Sequence, residues 1–362
     1  MDERQYMERA IELARKGSGW TNPNPMVGAV IVRDGRIIGE GYHMKYGTLH
    51  AERNAIASLT ESAEGATMYV TLEPCCHYGK TPPCTEAIIE NRIAKVVIGS
   101  SDPNPLVAGK GAAILRDAGI EVAEGFMKEE CDRINTVFFH YITRKTPYVV
   151  MKYAMTADGK ICTRTGESKW ITCEDSRNLV QLMRHKYMGI MAGIGTVLAD
   201  DPMLNVRIKG CRSPVRIICD SSLRLPPESR IAKTAGEYTT IAVCAKAGEN
   251  RALLEEMGVK VIQCPGDDGR IDLRRLMVIL GEMGIDSILL EGGGTLNYSA
   301  LAAGIVNEIQ CFIAPKVFGG ANAKSPVEGI GIEFPSECFK LKYENMTSIG
   351  DDILVRYLVG EE

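Results

Sequence analysis

The sequence predicts two α/β domains, and three observations lead to that fold class. Its 362 residues are enough for two hydrophobic cores of ordinary size. Helix-like and strand-like segments alternate along most of the chain, as they do where helices cover a sheet. Pro147 then interrupts the pattern, because proline disfavours helix at the residue before it and so ends a helix near Lys145. We therefore expect domains at residues 1–146 and 147–362.

The first domain begins with an amphipathic helix that leads into a β-hairpin. The hairpin is predicted from two apolar runs, residues 27–33 and 36–42, joined by Asp34-Gly35, which is typical of a two-residue turn. The remaining elements alternate in type. We predict helices at 50–59, 85–91, 111–118 and 129–144, and strands at 67–72, 95–100 and 121–123.

The same alternation begins again at residue 148, which indicates a second layered domain. Strands are predicted at 148–155, 189–192, 215–220, 239–244, 260–263, 287–290 and 308–314. Helices are predicted at 174–185, 251–257, 273–283 and 296–303. We interpret residues 192–197 as a glycine-containing turn, and the late segments 339–345 and 353–358 as an antiparallel pair of strands.

Composition and charge argue against several classes of protein. The formal net charge is −4, and nothing in the sequence suggests the basic surface that duplex nucleic acid requires. The apolar runs are shorter than a membrane span, and the N-terminal helix mixes acidic with basic residues, unlike a signal or transit peptide. The 12 cysteines lie mostly as single residues in apolar runs, which favours free thiols over disulfides. We expect a cytoplasmic protein that binds neither nucleic acid nor membranes.

The motif with the most functional information is His50-Ala51-Glu52, followed by Pro74-Cys75 and then Cys84. Zinc binds histidine nitrogen and cysteine thiolate in a tetrahedron, and a catalytic site leaves the fourth position to water. The metal lowers the pKa of that water, and a nearby carboxylate can then move protons between the water and a leaving group. This H-x-E…P-C pattern is typical of zinc-dependent base deaminases. We interpret Glu52 as the general acid/base.

The second part of the motif is unusual, because eight residues separate Cys75 from Cys84 where deaminases usually have two. Cys84 directly precedes a predicted helix, whose N-terminus would stabilise its thiolate. Two alternatives remain open. Cys76 can compete with Cys75 for the metal, and a purely structural zinc site can be closed by Cys76 or His77 as the fourth ligand.

The second domain has no G-x-G-x-x-G fingerprint after its first strand, so an ordinary Rossmann cofactor site is not indicated. Instead, an apolar strand runs into Gly292-Gly293-Gly294 and a helix start, where glycines let a phosphate approach the helix N-terminus. A second glycine-containing turn is predicted at 192–197. Two such turns after apolar strands indicate one cofactor held from two sides at the strand ends. The candidates to neutralise a substrate phosphate are Lys152, Lys160, Arg184 and Arg207.

Four stretches of the first domain carry a resemblance to a known family. Residues 21–28, 50–52, 74–84 and 102–105 resemble the bifunctional deaminase/reductase family of riboflavin biosynthesis. The long loop between the two cysteines distinguishes that family from the nucleoside and tRNA deaminases. The resemblance implies a cytidine-deaminase-like layered α/β domain followed by a dihydrofolate-reductase-like α/β domain.

For the first domain, the resemblance implies that one zinc ion is held by His50, Cys75 and Cys84, with Glu52 as the catalytic residue. The implied substrate is a phosphorylated pyrimidine ribotide, 2,5-diamino-6-(5-phosphoribosylamino)pyrimidin-4(3H)-one, which loses ammonia on hydrolysis. The residues implied to contact this substrate are Asn24, His43, His77, Lys80 and Asn104.

For the second domain, the resemblance extends from about residue 148 to the C-terminus and implies reduction by NADPH. The ribose of 5-amino-6-(5-phosphoribosylamino)uracil would become a ribityl chain. The residues implied to contact NADPH are Ala154, Trp170, Thr196, Asp200, Ser221, Gly293, Gly294, Thr295, Leu296, Asn297, Tyr298 and Ser299. Those implied to contact the ribotide are Lys152, Ser168, Arg184, Leu204, Arg207 and Glu291. An aspartate at Gly294 is expected to repel the cofactor phosphates.

Three other interpretations remain open. The chain can be a tRNA or cytidine deaminase with an accessory domain, although its acidic charge and long cysteine loop argue against that. It can be a non-catalytic zinc module fused to a nucleotide sensor, or a bifunctional chain with only one active half. The late antiparallel strands can pair between subunits, so we expect a homo-oligomer formed through the second domain.

Overall fold

The computed structural model describes residues 2–79 and 81–360, and the chain divides into two compact units, unit 1 (Met1–Lys145) and unit 2 (Thr146–Glu362). Unit 1 contains a five-stranded sheet and unit 2 a nine-stranded sheet, each with helices, so the predicted α/β fold class is confirmed. Within the described residues, no helix has both the length and the apolar character needed to cross a membrane.

The elements of unit 1 alternate between helix and strand. Its helices are α1 (Glu3–Arg15), α2 (Ala51–Ala57), α3 (Cys84–Glu90), α4 (Lys110–Asp117), α5 (Lys128–Ile134) and α6 (Thr136–Arg144). Its strands are β1 (Gly28–Arg33), β2 (Arg36–Tyr42), β3 (Thr67–Leu72), β4 (Lys95–Ser100) and β5 (Glu121–Glu124). The strand order is β2-β1-β3-β4-β5, in which β1 is antiparallel to both neighbours and β3, β4 and β5 are parallel.

The hairpin of β1 and β2 turns at Asp34-Gly35, where the sequence predicts it. Both residues have positive φ, 51° and 73°, as a type I′ turn requires, and this turn matches the twist of the flanking strands. The Tyr6 hydroxyl donates to the Gly35 carbonyl at 2.7 Å and ties the turn to α1. The local turn chemistry therefore sets the register of this edge of the sheet.

Apolar side chains cover both faces of the five-stranded sheet. Successive residues of a strand point to opposite faces. Val30 therefore packs in one cluster with Met7 of α1, while its neighbour Ile31 packs in another with Ile88 of α3. The continuous apolar pattern of the inner strands follows from this burial on both sides.

The single long helix predicted at 129–144 is wrong, because Asn135 separates α5 from α6. Asn135 is 2 % exposed, and its backbone leaves helical geometry at φ −116° and ψ 17°. Its Oδ1 accepts from the Met26 N–H at 2.8 Å, and its Nδ2 donates to the Met26 carbonyl at 2.9 Å. A side-chain amide that pairs with a distant peptide group has no signature in helical periodicity.

Unit 2 has the same alternation and a longer sheet. Its helices are α7 (Glu174–Lys186), α8 (Ile194–Asp200), α9 (Arg230–Lys233), α10 (Arg251–Glu256), α11 (Leu273–Glu282) and α12 (Gly294–Ala302). Its strands are β6 (Tyr148–Thr156), β7 (Gly189–Gly193), β8 (Val215–Cys219), β9 (Thr240–Cys244), β10 (Val259–Gln263), β11 (Ser287–Leu290), β12 (Glu308–Ala314), β13 (Leu341–Ile349) and β14 (Asp352–Val359).

The sheet of unit 2 has the order β10-β9-β8-β7-β11-β6-β12-β14-β13. All strands from β10 to β12 run parallel, and β14 and β13 continue the sheet antiparallel, as predicted for the two late strands. Adjacent residues again face opposite sides: Met191 packs in one hydrophobic cluster with Leu276 of α11, and Ile190 packs in another with Leu254 of α10.

The turn predicted at 192–197 is wrong, because β7 runs directly into α8 with Gly193 as the N-cap residue. Glycine lowers helix propensity, which is why the segment resembles a turn in the sequence. Ile194 and Val197 are nevertheless buried one turn apart, and their packing holds the segment as a helix. The short helix α9 was also not predicted, since four residues are too few to show a helical period.

Candidate active sites

The candidate site of unit 1 is a cavity of about 320 Å³ at the carboxyl ends of β3 and β4. This volume lies at the small end of the range for small-molecule sites. The wall is formed by the loop before β1, the segment between β2 and α2, the start of α2, the segments that follow β3 and β4, and α6. The polar lining residues include Asn24, His43, His50, Glu52, Glu73, Cys75, His77, Asp102 and Asn104.

The three predicted metal ligands meet at this cavity. The Nδ1 atom of His50 lies 3.4 Å from Cys75 Sγ and 3.5 Å from Cys84 Sγ, and the three donor atoms lie within 4.8 Å of one another. Ligand atoms bound tetrahedrally to zinc at about 2.0–2.3 Å are roughly 3.5 Å apart. A hydrogen bond from Cys84, together with His50, lowers the pKa of the Cys75 thiol, which favours the thiolate that a metal needs.

Two helices and one arginine position these ligands. His50 is the N-cap residue of α2, and Cys84 is the first residue of α3. The Cys84 N–H donates to the Cys75 carbonyl at 3.1 Å, which closes the loop between the two thiols. Arg53 of α2 donates to the carbonyls of Pro82-Pro83 at 3.1 and 2.7 Å. The loop is therefore held to α2 as well as to α3.

Cys76 and His77, which follow Cys75 within this loop, have different surroundings. Cys76 does not join the metal-ligand cluster, and its thiol donates to the Leu106 carbonyl at 3.7 Å. His77 lines the cavity, and its Nδ1 is buried with no hydrogen-bond partner in the part of the chain that the structure describes. Lys80, which the sequence predicts as a substrate contact, lies outside the described residues. The geometry thus favours Cys75 over Cys76 as the ligand.

Glu52 lies in the first turn of α2 and is 3 % exposed. Burial, together with the nearby Cys75, raises the pKa of its carboxyl to about 7. A carboxyl with a pKa near neutrality can both accept and donate a proton at the pH of the cell. Because it lines the same cavity as the metal-ligand cluster, Glu52 has the properties that a general acid/base requires.

His43 connects the loop before β1 to the metal-ligand cluster. It is 2 % exposed, and burial lowers the pKa of its ring. Its Nδ1 lies 3.1 Å from the Leu49 carbonyl and its Nε2 lies 3.4 Å from Asn24 Nδ2. A neutral ring that donates from Nδ1 and accepts at Nε2 satisfies both contacts. Its ring also lies 5.3 Å, centroid to centroid, from that of His50.

Sequence reasoning missed two parts of this cavity. Asp102 lines it near Asn104 and is 8 % exposed, and burial, with the charge of Glu73 adding, raises its pKa to about 6. Its place in the matched stretch 102–105 was the available signal. One apolar wall comes from α6, and helical periodicity does not tell a ligand-facing side from a core-facing one. The α6 residues at this wall are Phe138, Tyr141 and Ile142.

The candidate site of unit 2 contains a cluster of three predicted ribotide contacts. Arg184 of α7 donates from Nε and Nη2 to the two carboxylate oxygens of Glu291 at 2.7 and 3.0 Å, and Lys152 Nζ lies 3.6 Å from the same carboxylate. The three side chains are 13 to 14 % exposed. Burial opposes ionisation of Glu291, but the two cations outweigh it and lower its pKa to about 2. The Glu291 carboxylate therefore stays ionised over the whole physiological pH range.

The two glycine-containing segments of unit 2 face each other. A Cβ atom built on Gly193 would lie 3.8 Å from Leu296 of α12, and one built on Gly293 would lie 3.9 Å from the Thr196 hydroxyl of α8. Both segments follow neighbouring parallel strands, β7 and β11, whose carboxyl ends meet at one edge of the sheet. The N-terminus of α12 at this edge favours an anionic ligand.

The three glycines before and at the start of α12 are not equivalent. A Cβ atom at Gly294 would meet Glu328 Cγ at 2.4 Å, and one at Gly292 would meet Asn297 Oδ1 at 2.7 Å. At Gly293 the nearest atom is 3.9 Å away. The predicted substitution Gly294→Asp would therefore also displace Glu328, which makes Gly293 the better position at which to test phosphate repulsion.

The remaining predicted contacts of unit 2 have varied environments. Leu204 is 4 % exposed and belongs to the hydrophobic core, while its neighbour Asn205 accepts from Arg184 at 3.2 Å. Trp170 is 58 % exposed, and the Arg177 guanidinium lies 4.8 Å from its ring. The others are either partly buried or exposed, apart from the buried Asn297. They are Ala154, Ser168, Thr196, Asp200, Arg207, Ser221, Thr295, Leu296, Asn297, Tyr298 and Ser299.

Comparison with known families assigns a type to each half of the chain. Residues 1–100 match the cytidine and deoxycytidylate deaminase zinc-binding region, and residues 147–355 match the RibD C-terminal domain. Fold and site thus define a deaminase-type zinc-binding region followed by a RibD-type domain.

Full-length relatives give the same result. The chain is 56 % identical over 362 residues to the riboflavin biosynthesis protein RibD of Actinobacillus pleuropneumoniae, covering 99 % of this chain and 96 % of that protein. A solved RibD structure from Acinetobacter baumannii has a TM-score of 0.88 at 37 % identity, covering 99 % of both chains. A deaminase/reductase structure from Thermotoga maritima has a TM-score of 0.88 at 40 % identity, covering 98 % of both. The chain belongs to the RibD family of riboflavin biosynthesis proteins, which confirms the family inferred from the motifs.

The geometry of the cysteine loop predicts different outcomes for two neighbouring substitutions. Cys75→Ala removes a donor atom of the cluster, and we expect zinc affinity to fall at least ~10-fold, so that purified protein loses most of its metal. Cys76→Ala removes only a thiol that donates to a carbonyl, and it should retain about one zinc per chain. Elemental analysis of the two purified variants measures this. Equal metal content in both would contradict the ligand assignment.

Proposed function

We propose that the chain catalyses two consecutive reactions of riboflavin biosynthesis. Residues 1–146 would act as a zinc-dependent deaminase of 2,5-diamino-6-(5-phosphoribosylamino)pyrimidin-4(3H)-one, and residues 147–362 as an NADPH-dependent reductase of the resulting aminouracil ribotide. The observation that carries the proposal is the buried Glu52 carboxyl in one cavity with the donor atoms of His50, Cys75 and Cys84. The Thermotoga maritima relative bears both activities in its name.

Zinc suits the donor set of unit 1. Two thiolates and one imidazole are soft or borderline ligands, whereas magnesium and calcium prefer oxygen. The separations of 3.4 and 3.5 Å between His50 Nδ1 and the two sulfurs also suit tetrahedral zinc. His50, Cys75 and Cys84 would hold the ion. When bound, zinc supplies a Lewis acid that makes water reactive at neutral pH.

Glu52 is proposed to move the protons of the deamination. Its carboxylate accepts a proton from the attacking water, and the resulting carboxyl donates a proton to the amino group at C2, which leaves as ammonia. Water adds and ammonia departs, so the step is a hydrolysis with no change of oxidation state. The pKa of about 7 leaves both protonation states accessible near neutral pH.

The other polar residues at the cavity are proposed to bind the pyrimidine ribotide. The pair of Asn24 and His43, held by the Leu49 carbonyl, can orient the ring through fixed donors and acceptors. The buried Nδ1 of His77, which has no partner within the described residues, is available to a polar group of the substrate. Asn104 and Lys80 complete the proposed contacts, with Lys80 as the residue for the phosphate.

In unit 2 the ribotide is proposed to bind against the cluster of Lys152, Arg184 and Glu291. Arg184 and Lys152 provide positive charge, and Glu291 holds both of them in place. We place the reacting sugar near Lys152. The remaining proposed contacts are Ser168, Leu204 and Arg207. The chemical change is delivery of a hydride to C1′ of the opened ribose.

NADPH is the proposed reductant, and when bound it supplies the hydride. Support comes from the open space at Gly293, beside Thr196 and at the N-terminus of α12, where a phosphate can approach the backbone. Thr196 and Gly293 lie on the two facing segments, so one cofactor can contact both. The residues proposed to hold it are Ala154, Trp170, Thr196, Asp200, Ser221 and 293–299.

We also propose a homo-oligomer formed through β13, the edge strand of the nine-stranded sheet. Leu341, Tyr343 and Met346 are 42, 60 and 60 % exposed. The register shifts between Tyr343 and Asn345, and this bulge keeps Met346, paired with Val355, on the face of Tyr343, paired with Tyr357. An edge strand with exposed apolar side chains on one face is a ready site for pairing with another chain.

The proposed setting is the cytoplasm, with small phosphorylated pyrimidines as the partners. All 12 cysteines are free thiols, which suits a reducing compartment. A net charge of −4 gives no reason to expect nucleic acid as a ligand.

Glu52→Gln tests the deaminase. The amide cannot relay a proton, so ammonia release should fall about 10²- to 10⁴-fold while zinc stays at about one per chain. NADPH oxidation with the aminouracil ribotide should keep its wild-type rate. Ammonia is measured in the absence of NADPH, and NADPH by its absorbance. Glu64→Gln, on an exposed side chain paired with Arg92, is the control and should be fully active. Ammonia release by Glu52→Gln at the wild-type rate would refute the role of Glu52.

Gly293→Asp tests the cofactor site. The backbone of Gly293 has φ −77°, which any residue adopts, so the new carboxylate would stand in the open space and repel a phosphate. We expect KM for NADPH to rise about tenfold or more, equivalent to about 1.4 kcal/mol, with deamination unchanged. Gly236→Asp adds the same charge at another open glycine and should leave this KM unaltered. A wild-type KM in Gly293→Asp would argue against the site.

Met346→Glu tests the proposed interface. A charge on the exposed face of β13 cannot be buried against a second chain, so light scattering should give the mass of an oligomer for the wild type and of a monomer for the variant. Thr347→Glu places the same charge on the other face of the same strand and should keep the wild-type mass. A monomeric wild type, or an unchanged Met346→Glu, would exclude this interface.

A further inference from the structure

Glu73 is a buried carboxylate at the end of β3 that no step of the proposed reaction uses. It is 3 % exposed, and its own N–H donates to the Ser100 carbonyl at 2.9 Å, so it joins the ends of β3 and β4. Cys75 follows two residues later. A buried carboxylate has to be satisfied by donors, and the identity of those donors shows what the side chain does.

The donors to Glu73 are four backbone N–H groups of one segment. Its Oε1 accepts from Gly111 at 3.0 Å and Ala112 at 3.2 Å, and its Oε2 accepts from Gly109 at 3.0 Å and Asp102 at 3.4 Å. Three of these groups belong to the N-cap and first turn of α4, where N–H groups have no partner inside the helix. The N-cap residue Gly109 provides no side chain, so Glu73 caps the helix from another strand.

The segment held in this way forms part of the cavity wall. Residues 102–109 connect β4 to α4 and include Asp102 and Asn104, both of which line the cavity. Within the segment, the Asn104 N–H donates to Asp102 Oδ1 at 2.8 Å and the Leu106 N–H donates to Asn104 Oδ1 at 3.2 Å. The amide of Asn104 is therefore oriented by its own loop, and the two ends of that loop are held by Glu73.

The start of α4 also lies directly on the peptide that leads into Cys75. A Cβ atom on Gly111 would lie 2.1 Å from the Pro74 carbonyl oxygen, so only glycine permits this approach. Two consecutive residues, Glu73 and Pro74, thus both contact the N-terminus of α4. The distance between the Cys75 ligand and the Asn104 loop is set at this junction.

We propose that Glu73 is a positioning residue for the deaminase, which holds residues 102–112 against the strand end that carries Cys75 and so places Asn104 and Asp102 relative to the metal site. The inference rests on the proposed deaminase function. Because the loop contacts the substrate both before and during the reaction, its displacement weakens ground-state binding as well as the transition state.

Glu73→Gln is the test, because it keeps the shape but turns an NH₂ group towards N–H donors. We expect zinc content and reductase activity of the same chain to stay at wild-type values. For deamination, kcat/KM should fall about 10- to 100-fold, chiefly through a higher KM. Hydrogen exchange over residues 102–112 should become faster. A role in folding alone would instead lower kcat by reducing the active fraction and leave KM unchanged.

A double-mutant cycle with Asn104→Ala tests whether Glu73 affects deamination through the position of Asn104. If Glu73 acts through the Asn104 loop, the double variant should lose little more than the more severe single variant. Additive losses, or a wild-type KM in Glu73→Gln, would overturn the proposal while leaving the deaminase intact. A zinc-loaded wild type that releases no ammonia would instead overturn the proposed function, and this inference with it.

Two further variants control for misfolding and for the general effect of removing a carboxylate. If Glu73→Gln does not accumulate as folded protein, Glu73→Asp keeps the charge with one methylene fewer, and the same rise in KM is expected. Glu64→Gln removes an exposed carboxylate of the same unit and should leave KM, kcat and hydrogen exchange unaltered. A rise in KM in this control as large as in Glu73→Gln would also count against a specific role for Glu73.

Discussion

The convergence of one imidazole nitrogen and two sulfurs is the constraint on which the site of unit 1 depends. His50 Nδ1 lies 3.4 and 3.5 Å from the two sulfurs, and all three donor atoms lie within 4.8 Å of one another. Each of the three proposed ligands lies near the start or end of an element: His50 is the N-cap residue of α2, Cys75 follows β3, and Cys84 is the first residue of α3. Side chains at such positions can converge without breaking a helix or a strand. Arg53 of α2 holds Pro82-Pro83, the two residues before Cys84, through their carbonyls.

In both units, parallel strands bring the candidate functional side chains together. Because neighbouring parallel strands end at one edge of a sheet, residues far apart in the chain meet there. In unit 1 this brings the segment after β4, with Asn104, beside the segment after β3, with Cys75. In unit 2 it brings Glu291, which follows β11, beside Lys152 of β6. The sheet supplies a rigid base, and the segments beyond its edge carry the chemistry.

Features that depend on residue type and local spacing could be predicted from the sequence. The Asp34-Gly35 turn needs only two residues that accept positive φ. The proposed metal ligands could be named from their residue types and spacing, but the choice between Cys75 and Cys76 needed the structure. Asn135 and Glu73 could not be predicted, since each is defined by backbone groups of a distant segment. Helix α8 was missed for a different reason. Gly193 at its N-cap and Gly195 inside it suggested a turn, and the packing of Ile194 and Val197 outweighed the low helix propensity of glycine.

The glycines at 292–294 have equal roles in the sequence motif but different contacts in the structure. In the sequence the three residues are interchangeable parts of one phosphate cradle. In the structure Gly292 makes room for Asn297 and Gly294 for Glu328, so two of the three are required by packing within the protein. At Gly293 an added Cβ would meet no heavy atom closer than Thr196 Oγ1 at 3.9 Å. If a substitution of Gly292 or Gly294 weakened cofactor binding, the cause could be a displacement of α12. If a substitution of Gly293 did so, the cause would be a direct contact with the cofactor.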